Sequence, residues 1–418
     1  MEPVILHVDA NNFYASVAIC KNKSLSDKPV VICGDPDKRH GIVLAKSNAA
    51  KKMGINTGDT IGEAMKICPN LICLPPDYKQ YTYYSYRLFE IYKTFTPLVE
   101  SFGLDECWLD VTGSLSLYGD GEKIAYLIKE KVKSELGITV SVGVSFTKVF
   151  AKLGSDMKKP DAVTVIGKEN YKKIVWPLSV SELLYIGESL KNKLASYNIK
   201  TIGELACSDK RFIELKFGKV GIKLYEYANG TDGEKVGEYY KEHIPESVSN
   251  GATCCEDIVT EHSVASMVYS LSEIIAFRLR KYRLLAKGVG VYVKNNEFDT
   301  FSKQFKLETP TSDARVIGKC AFDMIIKNCK ISVTNPIRAV TVATYLLSPE
   351  DYSSQISVFN QDAQKYLEIN KKLDAIRKKY GYSSLKKAIE LDDTFVCDSK
   401  EIDDGFLPFD KHKDNNEN

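Results

Sequence analysis

The chain has 418 residues, 44% hydrophobic and 27% charged, the proportions of a globular protein too long for one ordinary core, so several domains are expected. No apolar run approaches the ~20 residues of a membrane span, the N-terminus opens on a strand with no leader pattern, and the 11 cysteines, without paired CxxC spacing, read as reduced cytosolic thiols and not as a zinc site or disulfide framework. The net charge of +2 alone argues weakly against a nucleic-acid partner, but residues 262–347 carry 13 Lys+Arg against 6 Asp+Glu and residues 391–418 carry 3 against 9, so a basic domain is followed by an acidic tail.

Residues 4–8 form a short apolar strand that ends on Asp9, and a helix starts near Phe13. Stretches 29–33 and 42–46 read as strands joined by an Asp-Pro-Asp turn, followed by short helices over 47–53, closed by Gly54, and 60–68. Residues 78–96 read as a long helix rich in tyrosine, better explained by core packing of an amphipathic helix than by base stacking. A hairpin over 98–111 then turns at Gly103-Leu104 and carries Asp105 and Glu106 side by side. Two neighbouring acids at the tip of an apolar hairpin are either a solvated turn or a site that needs a compensating cation. With Asp9 at the end of the first strand as a third acid, the set suits two hard divalent cations, since Mg²⁺ prefers a few carboxylates, waters and phosphates to a full protein cage. A helix over 115–136 and a strand over 139–145 complete a β–α–β–β–α–β order, as in ferredoxin-like folds, and a helix over 147–157, stopped by Pro160, follows.

Residues 177–229 read as several short helices. A second β–α–β–β–α–β series is expected, with strands over 249–259, 287–294, 300–307 and 337–347 and helices over 263–284 and 312–328. Beyond Pro349, residues 361–380 read as a helix closed by Gly381, and 391–418 as a disordered acidic tail.

Three segments carry a resemblance: VDANNFYASV at 8–17, LDECWLDVTG at 104–113 and GVSFTKVFAKLGSDMKKP at 143–160. In order and separation they resemble the three signature segments of the Y-family translesion DNA polymerases, closest to the bacterial polymerase IV group, with some features of the polymerase V catalytic-subunit group. The resemblance implies an α+β multidomain, right-hand polymerase fold. Its parts would be a ferredoxin-like palm (1–10 and 78–166), small fingers (11–77), a helical thumb with a helix-hairpin-helix (167–232), a linker (233–246) and a ferredoxin-like little finger (247–347). Residues 348–418 would hold a clamp-binding peptide, a helix and the acidic tail.

The resemblance also implies roles for residues. Asp9, Asp105 and Glu106, with the Ala10 carbonyl, would hold two Mg²⁺ ions, and Asp105 and Glu106 would be catalytic. Backbone N–H groups of Asn11, Asn12 and Phe13 would face triphosphate oxygens. Tyr14 falls at the steric gate that excludes a 2′-hydroxyl; otherwise it is a core aromatic. Asn48 and Lys51 stand where the group has a Tyr and an Arg that grip the triphosphate; lysine keeps the charge but lacks the planar fork. Ile42 and Leu44 would lie over the nascent base pair or simply in strand core. Lys159 matches a triphosphate-contacting lysine; Lys148 and Lys152 assist it or line a solvated helix face, and Asp156 and Asp110 are structural. Gly187, in the hairpin Tyr185-Ile186-Gly187, would present backbone N–H groups to DNA phosphates, and Lys294, Lys303 and Arg338 would touch the duplex from the little-finger sheet. Gln355, Ile356, Ser357, Val358 and Phe359 resemble the short QLSLF-type peptide that docks on the bacterial sliding clamp.

The implied function is template-directed extension of a primer past damaged bases from deoxynucleoside triphosphates, by a cytoplasmic monomer of low fidelity and low processivity without a proofreading exonuclease. Two rivals are a DNA-binding repair scaffold dependent on accessory subunits and a palm-type nucleotide cyclase. The cyclase would leave the helical segment and the basic terminal domain unexplained.

Overall fold

A computed structural model of the chain describes residues 2–34, 41–237, 245–350 and 361–381, with Ser384, Leu385 and Ala388. The described residues divide into two compact units, one over 2–34 and 41–237 and one from 245 onward.

The first unit begins with β1 (Ile5–Ala10) and α1 (Phe13–Lys21). A small three-stranded sheet follows, built from β2 (Val30–Cys33), β3 (Val43–Lys46) and, beyond the short helices α2 (Asn48–Lys52) and α3 (Ile61–Ile67), β4 (Ile72–Leu74), in the order β3-β2-β4. The helix starts are set by capping hydroxyls: Ser47 accepts from Ala50 N, and Thr60 and Glu63 form a reciprocal capping box. β4 was not anticipated from the sequence; three residues parallel to β2 leave too little pattern to read.

The larger sheet is built from β1, β5 (Val99–Ser101) and β6 (Glu106–Asp110), which follow α4 (Tyr78–Lys93), then β7 (Val140–Ser145), which follows α5 (Leu115–Tyr118) and α6 (Gly121–Leu136), and finally β8 (Val163–Ile166) after α7 (Lys148–Met157). Its order is β5-β6-β1-β7-β8. The first four strands have the ferredoxin-like order; β8, parallel to β7, is an unexpected fifth. Alternation sorts β1 cleanly. Leu6, Val8 and Ala10 join the core formed with α4 and α6, in which Tyr81, Leu88, Phe89 and Tyr92 are fully buried. Core burial thus explains part of the tyrosine stripe, while Tyr78 and Tyr83 are exposed. Each fully buried apolar side chain contributes about 1.5–3 kcal/mol. Ile5, His7 and Asp9 lie on the other face, which α7 covers. Gly143 permits that cover: a Cβ there would sit 1.9 Å from the Ala151 carbonyl oxygen on α7. The unit ends in the helices α8 (Tyr171–Val175), α9 (Glu188–Ala195), α10 (Ile202–Ala206) and α11 (Lys210–Asn229), the last broken at Gly218, where φ is 61°.

The second unit contains β9 (Ser247–Ile258), α12 (Glu261–Lys281), β10 (Leu284–Asn295), β11 (Thr300–Thr311), α13 (Ala314–Asn328), β12 (Ile337–Pro349) and α14 (Gln361–Tyr380). The β–α–β–β–α–β succession is as expected, and all neighbouring strands are antiparallel. The lateral order is β11-β10-β12-β9, so the second and fourth strands are central, where the ferredoxin-like order would centre the first and third. Succession along the chain does not specify which edge of the β10–β11 hairpin the last strand joins. α14 docks on this unit through a bidentate pair of Arg280 with Asp374, at 2.6 and 2.9 Å, and a buried pair of Arg377 with Glu273, at 3.4 Å.

No helix among the described residues is long and apolar enough to cross a membrane. Cys255 is disulfide-bonded, which corrects the all-thiol reading at that position. Gln355, Ile356, Ser357, Val358 and Phe359, like the acidic tail over 391–418, lie outside the described residues.

Candidate active site

The antiparallel register of β1 and β6 sets Asp9 directly opposite Glu106 and His7 opposite Trp108, all on the face covered by α7. Asp105 precedes β6, and its carbonyl accepts from the Ala10 N–H at 3.1 Å. The three acids are thus gathered at one end of two paired strands, as the sequence indicated. The arrangement crowds negative charge. Burial, then Asp9 and then Glu106 push the Asp105 carboxyl up to about 7, and burial followed by Glu106 also raises Asp9.

Two lysines answer this charge. Lys152 on α7 brings Nζ to 2.6 Å from Glu106 Oε2, 3.3 Å from Asp9 Oδ2 and 3.2 Å from Asp156 Oδ2. Lys159, just past the helix, lies 2.7 Å from Asp9 Oδ2 and 2.8 Å from Asp156 Oδ1. Of the two readings open for Lys152, the solvated helix face is excluded, because its side chain is only 13% exposed. Lys148 is excluded from both: it is buried, pairs with Glu100 at 2.6 Å and lies over the Trp108 ring. Asp156 holds the two lysines together, in keeping with a structural role. Asp110 accepts from Thr112 N at 2.9 Å, away from the acids.

Sequence reasoning missed His7, although its place two residues before Asp9 on one strand face was legible. It is fully buried; Nδ1 is 2.8 Å from the Ser155 hydroxyl and Nε2 is 3.4 Å from Glu106 Oε2. Desolvation, followed by the nearby Lys152 charge, drives its pKa down to about 3, so the ring is neutral.

The nucleotide-binding expectations meet a mixed outcome. Asn11 is buried; its N–H is donated to the Thr139 carbonyl at 2.9 Å, its side chain donates to Ser141, and its Oδ1 accepts from Thr139 and Asp161. Its N–H is therefore committed to the sheet, and Asn11 positions the site without facing a triphosphate. Asn12, at φ 49°, caps α1, and Phe13 is its first residue, so the donors of that first turn remain at the helix start. Phe13 itself is core. The Tyr14 ring is half-buried and stacks on Tyr81 with centroids 4.1 Å apart, its hydroxyl pushed up to about 12 by burial, then by Tyr78 and Asp105. Asn48, at the start of α2, accepts a 2.8 Å hydrogen bond from the Asn12 side chain, which ties the two predicted residues together. Lys51 lies on the same short helix; Lys46, whose ammonium is held down by burial and then by Lys51, is a second cation that the sequence reading overlooked. Ile42 is exposed and bridges to Thr60, so it is not strand core, whereas Leu44 in β3 is half-buried.

Gly187 is the N-cap of α9 in extended conformation, and Tyr185 before it is exposed at φ 71°. In the second unit, Lys294 and Arg338 converge on the exposed Phe298 ring, at 5.8 and 5.0 Å. Lys303 does not join them. The register puts it opposite the buried Val291, on the helix-covered face, and its ammonium donates to Asn328 on α13. Lys306, opposite Gly288, takes the open face instead.

Among the described residues no three His, Cys, Asp or Glu side chains converge as a ready-made metal cluster. The lysines occupy the space between the carboxylates. The donor set itself, clustered carboxylate oxygens whose charge is poorly tolerated, fits a hard divalent cation.

The impB/mucB/samB family model matches residues 8–156, and its C-terminal-domain model matches 245–358. The DNA polymerase IV of Acetivibrio thermocellus is 43% identical over 395 residues, covering 94% of this chain and 98% of that protein. This chain belongs to the Y-family DNA polymerases. The DNA polymerase IV of Clostridium acetobutylicum is 37% identical over 94% of the polymerase and 99% of its own length. A solved Y-family DNA polymerase chimera superposes with a TM-score of 0.73 at 22% identity, covering 83% of the polymerase and 99% of the chimera; that likeness speaks for the fold. The protein is a DNA-directed DNA polymerase of the polymerase IV kind.

Proposed function

We propose that the polymerase extends primer–template DNA past damaged bases at the site formed by Asp9, Asp105 and Glu106. The observation that carries this is the direct pairing of Asp9 with Glu106, with Asp105 adjacent and two lysine ammonium groups held against the acids. When bound, two Mg²⁺ ions would make the primer 3′-hydroxyl easier to deprotonate and balance the charge of the triphosphate and its leaving pyrophosphate. Asp9, Asp105 and Glu106, with the Ala10 carbonyl, hold them. Lys159, at the mouth of the cluster, exchanges its carboxylate partners for triphosphate oxygens, and Lys51 adds a second cation from α2. The Tyr14 ring, fixed from behind by Tyr81, bars a 2′-hydroxyl.

The domain assignment of this reading is palm 1–10 and 78–166, fingers 11–77, thumb 167–232, linker 233–246 and little finger 247–347. Lys294, Arg338 and Gly187 touch the duplex backbone, and Gln355, Ile356, Ser357, Val358 and Phe359 dock on a sliding clamp. The polymerase acts as a monomer in the cytoplasm, with low processivity and without proofreading.

The test is primer extension with Mg²⁺, deoxynucleotides and ribonucleotides in parallel, comparing the wild type with Asp105→Ala and Tyr14→Ala. The wild type extends with deoxynucleotides only, Asp105→Ala binds DNA but does not extend, and Tyr14→Ala admits ribonucleotides. An Asp105→Ala protein as active as the wild type would remove the acid assignment. Deleting residues 355–359 should abolish stimulation by the clamp and spare basal extension.

A further inference from the structure

The acids in this site are not waiting for a cation; they already hold one supplied by the chain. Lys152 is seated on α7, whose start is capped by Thr147 and whose residues Val149, Phe150, Ala151, Leu153, Gly154 and Ser155 are buried. The helix therefore fixes where the lysine stem begins. Its ammonium touches oxygens of both paired acids, 2.6 Å from Glu106 and 3.3 Å from Asp9. Lys159 differs: it follows the helix end, is 28% exposed, and touches Asp9 but not Glu106. Among the described residues Lys152 is thus the cation that bridges the pair.

We propose that Lys152 is an internal counter-ion that holds Asp9 and Glu106 together before metal arrives and competes with divalent metal for them. This rests on the reading of those acids as metal ligands. A divalent cation bonded to Glu106 Oε2 at ~2.1 Å would have to share that oxygen with an ammonium only 2.6 Å from it. Like charges would be forced together in a poorly solvated pocket. That repulsion favours withdrawal of the lysine, and Asp156, 3.2 Å from Nζ and 42% exposed, is the carboxylate toward which it can turn. Lys152 thereby lowers the affinity of the bare site for metal. A lysine that merely supported the acids would do the reverse, since its loss would misplace the ligands and weaken binding.

The opposite signs make the test decisive. Mn²⁺ binding to the full-length protein is measured by electron paramagnetic resonance, without DNA or nucleotide, for the wild type, Lys152→Met, Lys152→Arg and Asp9→Asn. Lys152→Met should bind Mn²⁺ about tenfold more tightly or better, and Lys152→Arg, which keeps the charge, should stay near the wild type. Thermal melting in chelator and in Mn²⁺ gives an independent readout: metal should stabilise Lys152→Met more than the wild type, and a variant folded only with Mn²⁺ meets that expectation. Lys152→Gln carries the same expectation should the Met variant not fold in either condition. Unchanged or weaker Mn²⁺ binding by the neutral variants, with Asp9→Asn weakened, overturns the counter-ion role alone. Unchanged binding by Asp9→Asn overturns the metal reading and the inference with it.

Discussion

Replacing Asp105 with Asn should stabilise the metal-free polymerase, and only above a certain pH. Burial and the flanking Asp9 and Glu106 raise the Asp105 carboxyl from 3.8 to about 7. In the unfolded chain the group loses its proton near its ordinary value; in the folded chain it keeps it until about pH 7. Between these values the folded state binds more protons, so stability falls as pH rises, and the loss is complete above about pH 7. A shift of about 3 units at 1.36 kcal/mol each sets a ceiling of ~4 kcal/mol. Asp105 is only half-buried and shares its charge with two other acids, so solvent screening brings the expected penalty to ~1–2 kcal/mol. Asparagine keeps the shape and carries no charge at any pH. Thermal melting in chelator should therefore show no gain for Asp105→Asn at pH 4, a growing gain through pH 6, and a rise of roughly 2–8 °C at pH 8. With Mg²⁺ present the order should reverse, because only the wild type gains from binding. A gain of equal size at every pH, or none at pH 8, would refute the claim that carboxylate crowding is what destabilises this site.

Gly143→Ala should cost at least ~3 kcal/mol, because its Cβ would lie 1.9 Å from the Ala151 carbonyl oxygen and 2.5 Å from Ser155 N; denaturant melting reads this, and Mn²⁺ binding should change with it as α7 shifts. Arg377→Met should destabilise the second unit by more than ~1 kcal/mol, since it removes the guanidinium that faces the buried Glu273 carboxylate; a smaller change would mean that the pair is readily replaced. Lys51→Ala should raise the KM for deoxynucleotides several-fold and leave kcat nearly unchanged, as expected of a charge that binds triphosphate equally in ground and transition states. A kcat loss as large as the KM rise would place Lys51 in the chemical step.

What the sequence disclosed follows from what each feature depends on. Asp9, Asp105 and Glu106 were legible because strand ends and a hairpin tip are local properties, and strand succession was legible for the same reason. The features that escaped depend on register or on lateral order. Lys303 is expected to touch the duplex beside Lys294 and Arg338, yet its pairing with Val291 turns it to the helices; one residue of register decides such a face. Asn11 was expected to offer its N–H to a ligand, yet Thr139, 128 residues away and just ahead of β7, is its partner. Lys152 could not be separated from a solvated lysine because its direction depends on how closely α7 settles on β7, and that approach is set by the missing side chain of Gly143. His7 joins the same set. The paired strands β1 and β6, which place a neutral ring, carboxylates and a tryptophan on one face under a single helix, tie the acids to the position of α7. A substitution that moves this helix should therefore be read first in metal binding, before any contact with DNA is lost.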